Sequence, residues 1–237
     1  LEKLTATVLE HIAFRLHNKN FSPRVNKQMC IVDKLSCSVL EIAVRFGCIS
    51  DLLFTAMYHY KTFRYLKALS AIEMTKIELA QPYMMYRKMP CVRSYIQALV
   101  GHSLSTKMKR AVALDIALDN FVCYIHELVP EQQYALQNKC NILNIPVFVV
   151  LHFLEFLCYR HIDMELAKDA LDKLHTIVHY DRGDYINDLC WDISWEILGI
   201  CQQITGDFES ALYSFQQSLS HFEFNNVRIA AHRRIQV

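Results

Sequence analysis

With 237 residues, 53% of them apolar, the chain holds ample material for a large buried core, which excludes disorder of the charged, weakly hydrophobic kind over most of its length. Twenty-five basic against 24 acidic side chains leave a formal charge of +1, without the basic footprint that phosphate neutralisation demands of a nucleic-acid-binding domain. Five Gly and five Pro are too few for a hairpin-rich β domain, so the composition indicates an all-α fold.

Nine cysteines is an odd number, no two stand as C-x-x-C, and Cys48, Cys123, Cys158 and Cys201 sit among apolar neighbours. That usage fits reduced thiols acting as small hydrophobes, hence a reducing compartment, cytoplasmic with the nucleus as the alternative. The longest apolar run, Val147 to Tyr159, is broken by His152 and Glu155 and falls short of the ~20 residues a membrane crossing needs. The chain opens on Leu1 rather than Met, which suggests a segment of a longer protein.

In chain order, Leu4, Val8, Leu9, Ile12 and Leu16 recur at three- and four-residue steps, the stripe of an amphipathic helix. Ser22-Pro23 offers a cap and a first-turn proline for a second helix. Its stripe runs through Met29, Val32, Leu35, Val39, Ile42 and Phe46, and Gly47 ends it. Residues 1–46 thus form a helical lead-in. A first hairpin is expected over 47–82, capped by Ser50-Asp51, broken at Thr62-Phe63 and stopped by Pro82. From 83 to 146 the periodicity degrades around Pro90, Gly101, Pro130 and Pro146. A helix is read from Ser105 to Leu118, and Phe121 to Leu128 reads as either helix or extended chain. Residues 147–237 hold two further hairpins, one turning at His161-Ile162-Asp163 and one at Gly206-Asp207.

The last hairpin carries the one specific motif. Trp195, Leu198 and Gly199, then the Gly206-Asp207-Phe208 turn, then Ala211 and Phe215 match the tetratricopeptide spacing W-x2-L-G, turn, A-x3-F. Small Gly199 and Ala211 let two helices approach while the large side chains fill the space between them. The pattern's Tyr is replaced by Gln202 and its closing Pro by Glu223. Since one hairpin cannot bury its own face, the whole chain is expected to be a tetratricopeptide-like stack of helical hairpins with a less regular middle.

Stacked hairpins curve, and their first helices line a concave face. Counting from Trp195 puts Glu196, Ile200 and Gln203 on that face, with His152, Phe156, Tyr159 and Leu53, Met57, Tyr60 at the analogous earlier places. Such a groove would take a protein or peptide partner; the alternative is that the middle segment fills it.

Several stretches carry a resemblance as well as a pattern: Arg45 to Asp51, Ile72 to Lys76, Leu79 to Tyr83, Leu154 to His161 and Ile197 to Gln203. Together they resemble the C-terminal helical extension of large invertebrate proteins of the Mab-twenty-one family, relatives of cyclic GMP-AMP synthase. The resemblance implies a nucleotidyltransferase-fold core before Leu1, whose Gly-Ser turn and paired strand carboxylates are not found in this chain. Asp115 and Asp119 are spaced for one face of a helix, and no Gly precedes a Ser. No active-site residue is carried over, so this part is expected to be non-enzymatic, without cofactor or metal, partnered by protein, peptide or its own upstream domain.

Other candidates are weak. All five glycines are isolated, which excludes a phosphate loop. His175 and His179 have the spacing of a two-His metal face but no third ligand is evident, and Cys158 with His161 is a lone half-site. The basic clusters Lys107, Lys109, Arg110 and Arg228, Arg233, Arg234 read as solvated helix faces, with nucleic-acid contact as a further alternative.

Overall fold

The computed structural model describes residues 2–19, 26–46, 51–81 and 115–236. The fold is all-α, built of packed helical hairpins, with one two-stranded sheet among the described residues. By contact the chain divides into two compact units, Leu1–Leu114 with Val122–Tyr124, and Asp115–Phe121 with Ile125–Val237. The division at 114/115 falls inside the segment of degraded periodicity.

In the first unit α1 (Glu2–Lys19) packs on α2 (Asn26–Phe46), and α3 (Asp51–Lys61) on α4 (Tyr65–Leu79). The face that α1 buries is not its apolar stripe: Ala6, Ala13 and Phe14 are buried with Glu10 and His17, while Val8 and Ile12 are exposed. Similarly α2 buries Ser36, Leu40 and Ala43 and exposes Met29, Leu35 and Ile42. The reason is close approach: small residues on both helices bring the backbones together, and Ser36 Oγ donates to the Ala13 carbonyl at 3.1 Å. Aromatic rings complete the core, with Phe14 edge-on to Tyr58 at 5.6 Å and against Tyr124 at 4.6 Å. The turn between α3 and α4 is held by Arg64, whose guanidinium takes both oxygens of Asp33 at 2.7 and 3.2 Å. Tyr58 donates to the same carboxylate at 3.1 Å. The cap at Ser22-Pro23 and the stop at Gly47 lie outside the described residues.

The second unit opens with β1 (Ile116–Asp119), a single 3-10 turn (His126–Leu128), α5 (Val129–Gln137) and β2 (Ile142–Ile145). The strands pair antiparallel, Ile116 opposite Ile145 and Leu118 opposite Leu143, with those four side chains buried on one face. The helix read from Ser105 to Leu118 is therefore corrected at its end: Ile116 to Leu118 are strand, and Asp115 and Asp119 share no helix face. The alternation of buried Ile116 and Leu118 with exposed Ala117 has the period of a strand, and its pairing with β2 across 23 residues of chain overrides local helix propensity. Of Phe121 to Leu128, only the last three residues are helical, as one 3-10 turn.

Two hairpins follow, α6 (Val147–Tyr159) with α7 (Met164–Tyr180), and α8 (Trp191–Thr205) with α9 (Phe208–Ser220). The chain closes on α10 (Arg228–Ile235). Asp163 caps α7 by accepting from the backbone N–H groups of Glu165 and Leu166, and Asp207 caps α9 by accepting from that of Ser210. Gly206 ends α8 in the left-handed region at φ 84°, the conformation a helix stop requires. The two helices of each hairpin differ in character. α7 buries only Ala167, Ala170, Leu174 and Val178, and α9 only Ala211, Ser214, Phe215 and Ser218, in each case one stripe. By contrast α6 and α8 are buried nearly all round.

Candidate functional site

In the α8/α9 hairpin the motif residues meet. Gly199 stands against the ring of Phe215, so closely that a Cβ on residue 199 would lie 2.6 Å from Cε1. Leu198, Ala211 and Phe215 are buried, and Trp195 packs edge-on to His179 of α7 at 4.5 Å and to Tyr213 at 6.0 Å. Gln202, at the pattern's Tyr position, accepts from Ser214 Oγ at 2.6 Å, a buried polar link across the same hairpin.

The residues counted onto a concave face occupy other places. Leu53, Met57 and Tyr60 are buried in the first unit; Phe156, Glu196 and Ile200 are buried in the second, and only His152, Tyr159 and Gln203 are half-buried there. None of the nine is exposed. The physical reason in the second unit is that α6 and α8 are covered on every side. Arg234 of α10 reaches Gln203 Oε1 at 3.2 Å, lies 3.7 Å from Glu196 and forms a two-point pair with Glu131 of α5 at 2.7 and 3.1 Å. The middle segment and the last helix fill the face from which a partner was expected. His152 is spent on Glu155, its Nδ1 2.7 Å from the carboxylate.

This filled face is an ionic core. Glu131 and Glu196 are fully buried with one guanidinium between them. Burial first, then the charge of Glu131, holds the Glu196 carboxyl well above the ordinary range, while Arg234 pulls the other way. Nearby, Arg160 pairs with Glu127 at 2.8 Å. Asp192, at the start of α8, accepts from the backbone N–H and the side-chain amide of Asn225 at 2.7 and 2.9 Å, and Asn225 Oδ1 accepts from the Asn144 N–H on β2 at 2.7 Å.

Among the described residues, no group of three or more His, Cys, Asp or Glu is placed to hold a metal ion. His175 and His179 stack at 3.9 Å beside Trp195 rather than opening a coordination site. Among the described residues no cysteine forms a disulfide, and no described helix is long and apolar enough to cross a membrane. Of the basic clusters, Lys107, Lys109 and Arg110 lie outside the described residues. Arg234 is committed to Glu131, Arg233 stacks over Tyr134 at 4.8 Å, and Arg228 stands 3.6 Å from Glu223.

An open concavity of the first unit lies among α2, α3 and α4. It has a volume of about 590 Å³, within the range of ligand pockets. Leu40 and Val44 of α2, Leu52 of α3 and Ala71 and Met74 of α4 supply its apolar wall. Thr55 and His59, one turn apart on α3, line it as well. Thr55 Oγ1 and His59 Nδ1 are buried without a hydrogen-bond partner. An unmade bond at a buried polar atom costs about 1–3 kcal/mol, so two beside one cavity single it out as a candidate site. Burial, helped by the charges of Arg64 and Lys67, pushes the His59 ring down to about 4, leaving the imidazole neutral near pH 7. The sequence signal for this site was present only as an i, i+4 pair of polar residues on an otherwise apolar helix face.

No protein-family model, no curated protein and no solved structure matches the chain.

Proposed function

We propose that this chain is a non-enzymatic helical-hairpin binding and scaffold module, engaging its ligand in the α2–α3–α4 groove of the first unit. The observation that carries this reading is the pairing, in one groove, of an apolar wall with two buried polar atoms that have no partner of their own. The second unit, with its former groove face closed by α5 and α10, serves as the rigid part. Following the resemblance of its sequence, the module is the C-terminal part of a cyclic GMP-AMP synthase-like protein, acting in the cytoplasm.

Fragment screening by NMR tests the groove on the whole chain, with the histidine rings labelled and His59 assigned through His59→Asn. Perturbation of the His59 ring by apolar fragments supports the reading, and a library that leaves this ring untouched removes it. Sequencing the transcript upstream of Leu1 tests the attachment, which requires a Gly-Ser turn followed by paired strand carboxylates.

A second reading, an extension that buttresses the upstream core, draws on the apolar side chains that α1 and α2 leave exposed: Val8 and Ile12, and Ile31, Leu35 and Ile42. Hydrogen exchange in the longer protein should then be slowed along both helices relative to this chain alone. Equal exchange would dismiss the buttress.

A further inference from the structure

Resting on the reading of the α2–α3–α4 groove as a binding site, we infer that it takes a small amphipathic organic anion, a single carboxylate on an apolar body. The wall of Leu40, Val44, Leu52, Ala71 and Met74 suits the body. Thr55 and His59 suit the head: each has a buried polar atom that is bonded to nothing, so turning either side chain toward the cavity breaks no hydrogen bond. A neutral imidazole and a hydroxyl both donate to a carboxylate.

Charge decides the sign of that head. From α2 the cavity is faced by Cys37, Glu41 and Arg45, from α4 by Lys67, and Arg64 at the turn acts on His59 from outside the lining. Arg64 and Lys67 both depress the His59 pKa, and the Asp33 carboxylate that opposes them has the smaller effect and is already paired with Arg64. The Cys37 thiol is held in its neutral form, its pKa raised by burial. Among the described residues lining the cavity, Glu41 is therefore the one anion, against Arg45 and Lys67. A cationic head would meet a field already unfavourable to protonating the ring beside it; an anionic head would relieve it.

Three eight-carbon probes that differ only in the head separate the possibilities: octanoate, octanol and octylamine, each titrated into the whole chain with the His59 ring followed by NMR. Octanoate is expected to bind best and to raise the His59 pKa from about 4, since a carboxylate in contact stabilises the imidazolium. Lys67→Gln, an exposed substitution, and Thr55→Val should each weaken octanoate by roughly tenfold, the loss of one charge-assisted contact. Octanol or octylamine binding as well as octanoate would overturn the anion assignment. So would octanoate leaving the His59 pKa where it stands. If octanoate fails while apolar fragments still perturb the ring, the anion is wrong and the groove stands. If neither perturbs it, both fail together.

Discussion

Gly199 and Phe215 stand in direct van der Waals opposition across the α8/α9 hairpin, with room between them for a hydrogen and not for a methyl. A Cβ at 199 would come within 2.6–3.0 Å of three carbons of the Phe215 ring, which is itself buried. Gly199→Ala gains about 1 kcal/mol of helix propensity but overpacks the hairpin, at a cost of about 1–3 kcal/mol. The expected outcome is a net loss of roughly 1–2 kcal/mol, seen as a lower denaturation midpoint at unchanged slope. A gain in stability would mean that the ring moves aside freely.

Gly206 provides the contrast. It also carries no Cβ, yet nothing lies within 4 Å of where one would stand; only its φ of 84° asks for glycine. Gly206→Ala should cost about 1–2 kcal/mol through backbone strain alone. Gly206→Asn, which tolerates the left-handed region better, should recover part of that loss. Equal losses for the two variants would show that something other than backbone conformation sets the cost.

Glu196 gives stability a pH dependence of defined sign. Its carboxyl binds a proton more tightly in the folded chain, because burial and Glu131 both oppose its charge. That contribution is fully present below the ordinary value of 4.5 and is lost as pH climbs from there through the raised folded value. Glu196→Gln keeps the shape and abolishes the charge. Equilibrium unfolding should find it more stable than the parent at pH 8, by about 1 kcal/mol or more, and little changed at pH 4. A variant weaker at pH 8 would show that the attraction of Arg234 outweighs burial.

What the sequence made legible depended on whether a residue's environment is set nearby. The α6/α7 and α8/α9 hairpins could be read because Asp163, Gly206 and Asp207 act on their own turns, and because the W-x2-L-G…A-x3-F spacing is a two-helix packing rule. The faces of α1 and α2 could not. A hydrophobicity stripe assumes that apolar side chains define the contact, whereas here Ala6, Ala13, Ser36 and Ala43 do so by being small. The concave face failed for a related reason. Counting from Trp195 places Glu196 and Gln203 on a partner-facing surface, whereas their partner Arg234 is 31 or more residues away, in a basic cluster whose spacing reads as a solvated helix face. The Thr55–His59 groove depends on three helices at once, and its defining property, bonds left unmade, has no sequence pattern.

Trp195 and His179 supply an optical probe of the interface between the two hairpins of the second unit. The rings meet edge-on at 4.5 Å, and His179 has its pKa lowered by burial first and by His175 second. The other indole, Trp191, stacks on His221 at 5.8 Å and is silenced by Trp191→Phe. In that background an imidazolium formed against the excited indole quenches it, so emission should fall as pH is lowered, with a midpoint below 6.5. Adding His175→Ala should move the midpoint upward by removing the neighbouring ring's charge. An emission flat between pH 4 and 8 would contradict the contact.

Arg234 is the residue on which the closed face of the second unit depends most. Among the described residues it is the one cation set between two fully buried carboxylates, bidentate to Glu131 and 3.7 Å from Glu196, and it also donates to the Glu127 carbonyl at 2.9 Å. Arg234→Met keeps most of the side chain's bulk but leaves Glu131 buried without its partner, which should cost about 3–5 kcal/mol at neutral pH. Adding Glu131→Gln should restore a large part of the loss at pH 7. Strict additivity of the two changes in a denaturation cycle would mean that the pair does not act as a unit. The same variant bears on the first reading of this surface: if α10 merely covered an available groove, its loosening would leave the stability of α8 and α9 unaltered, whereas an integral closure predicts that hydrogen exchange in both helices accelerates together.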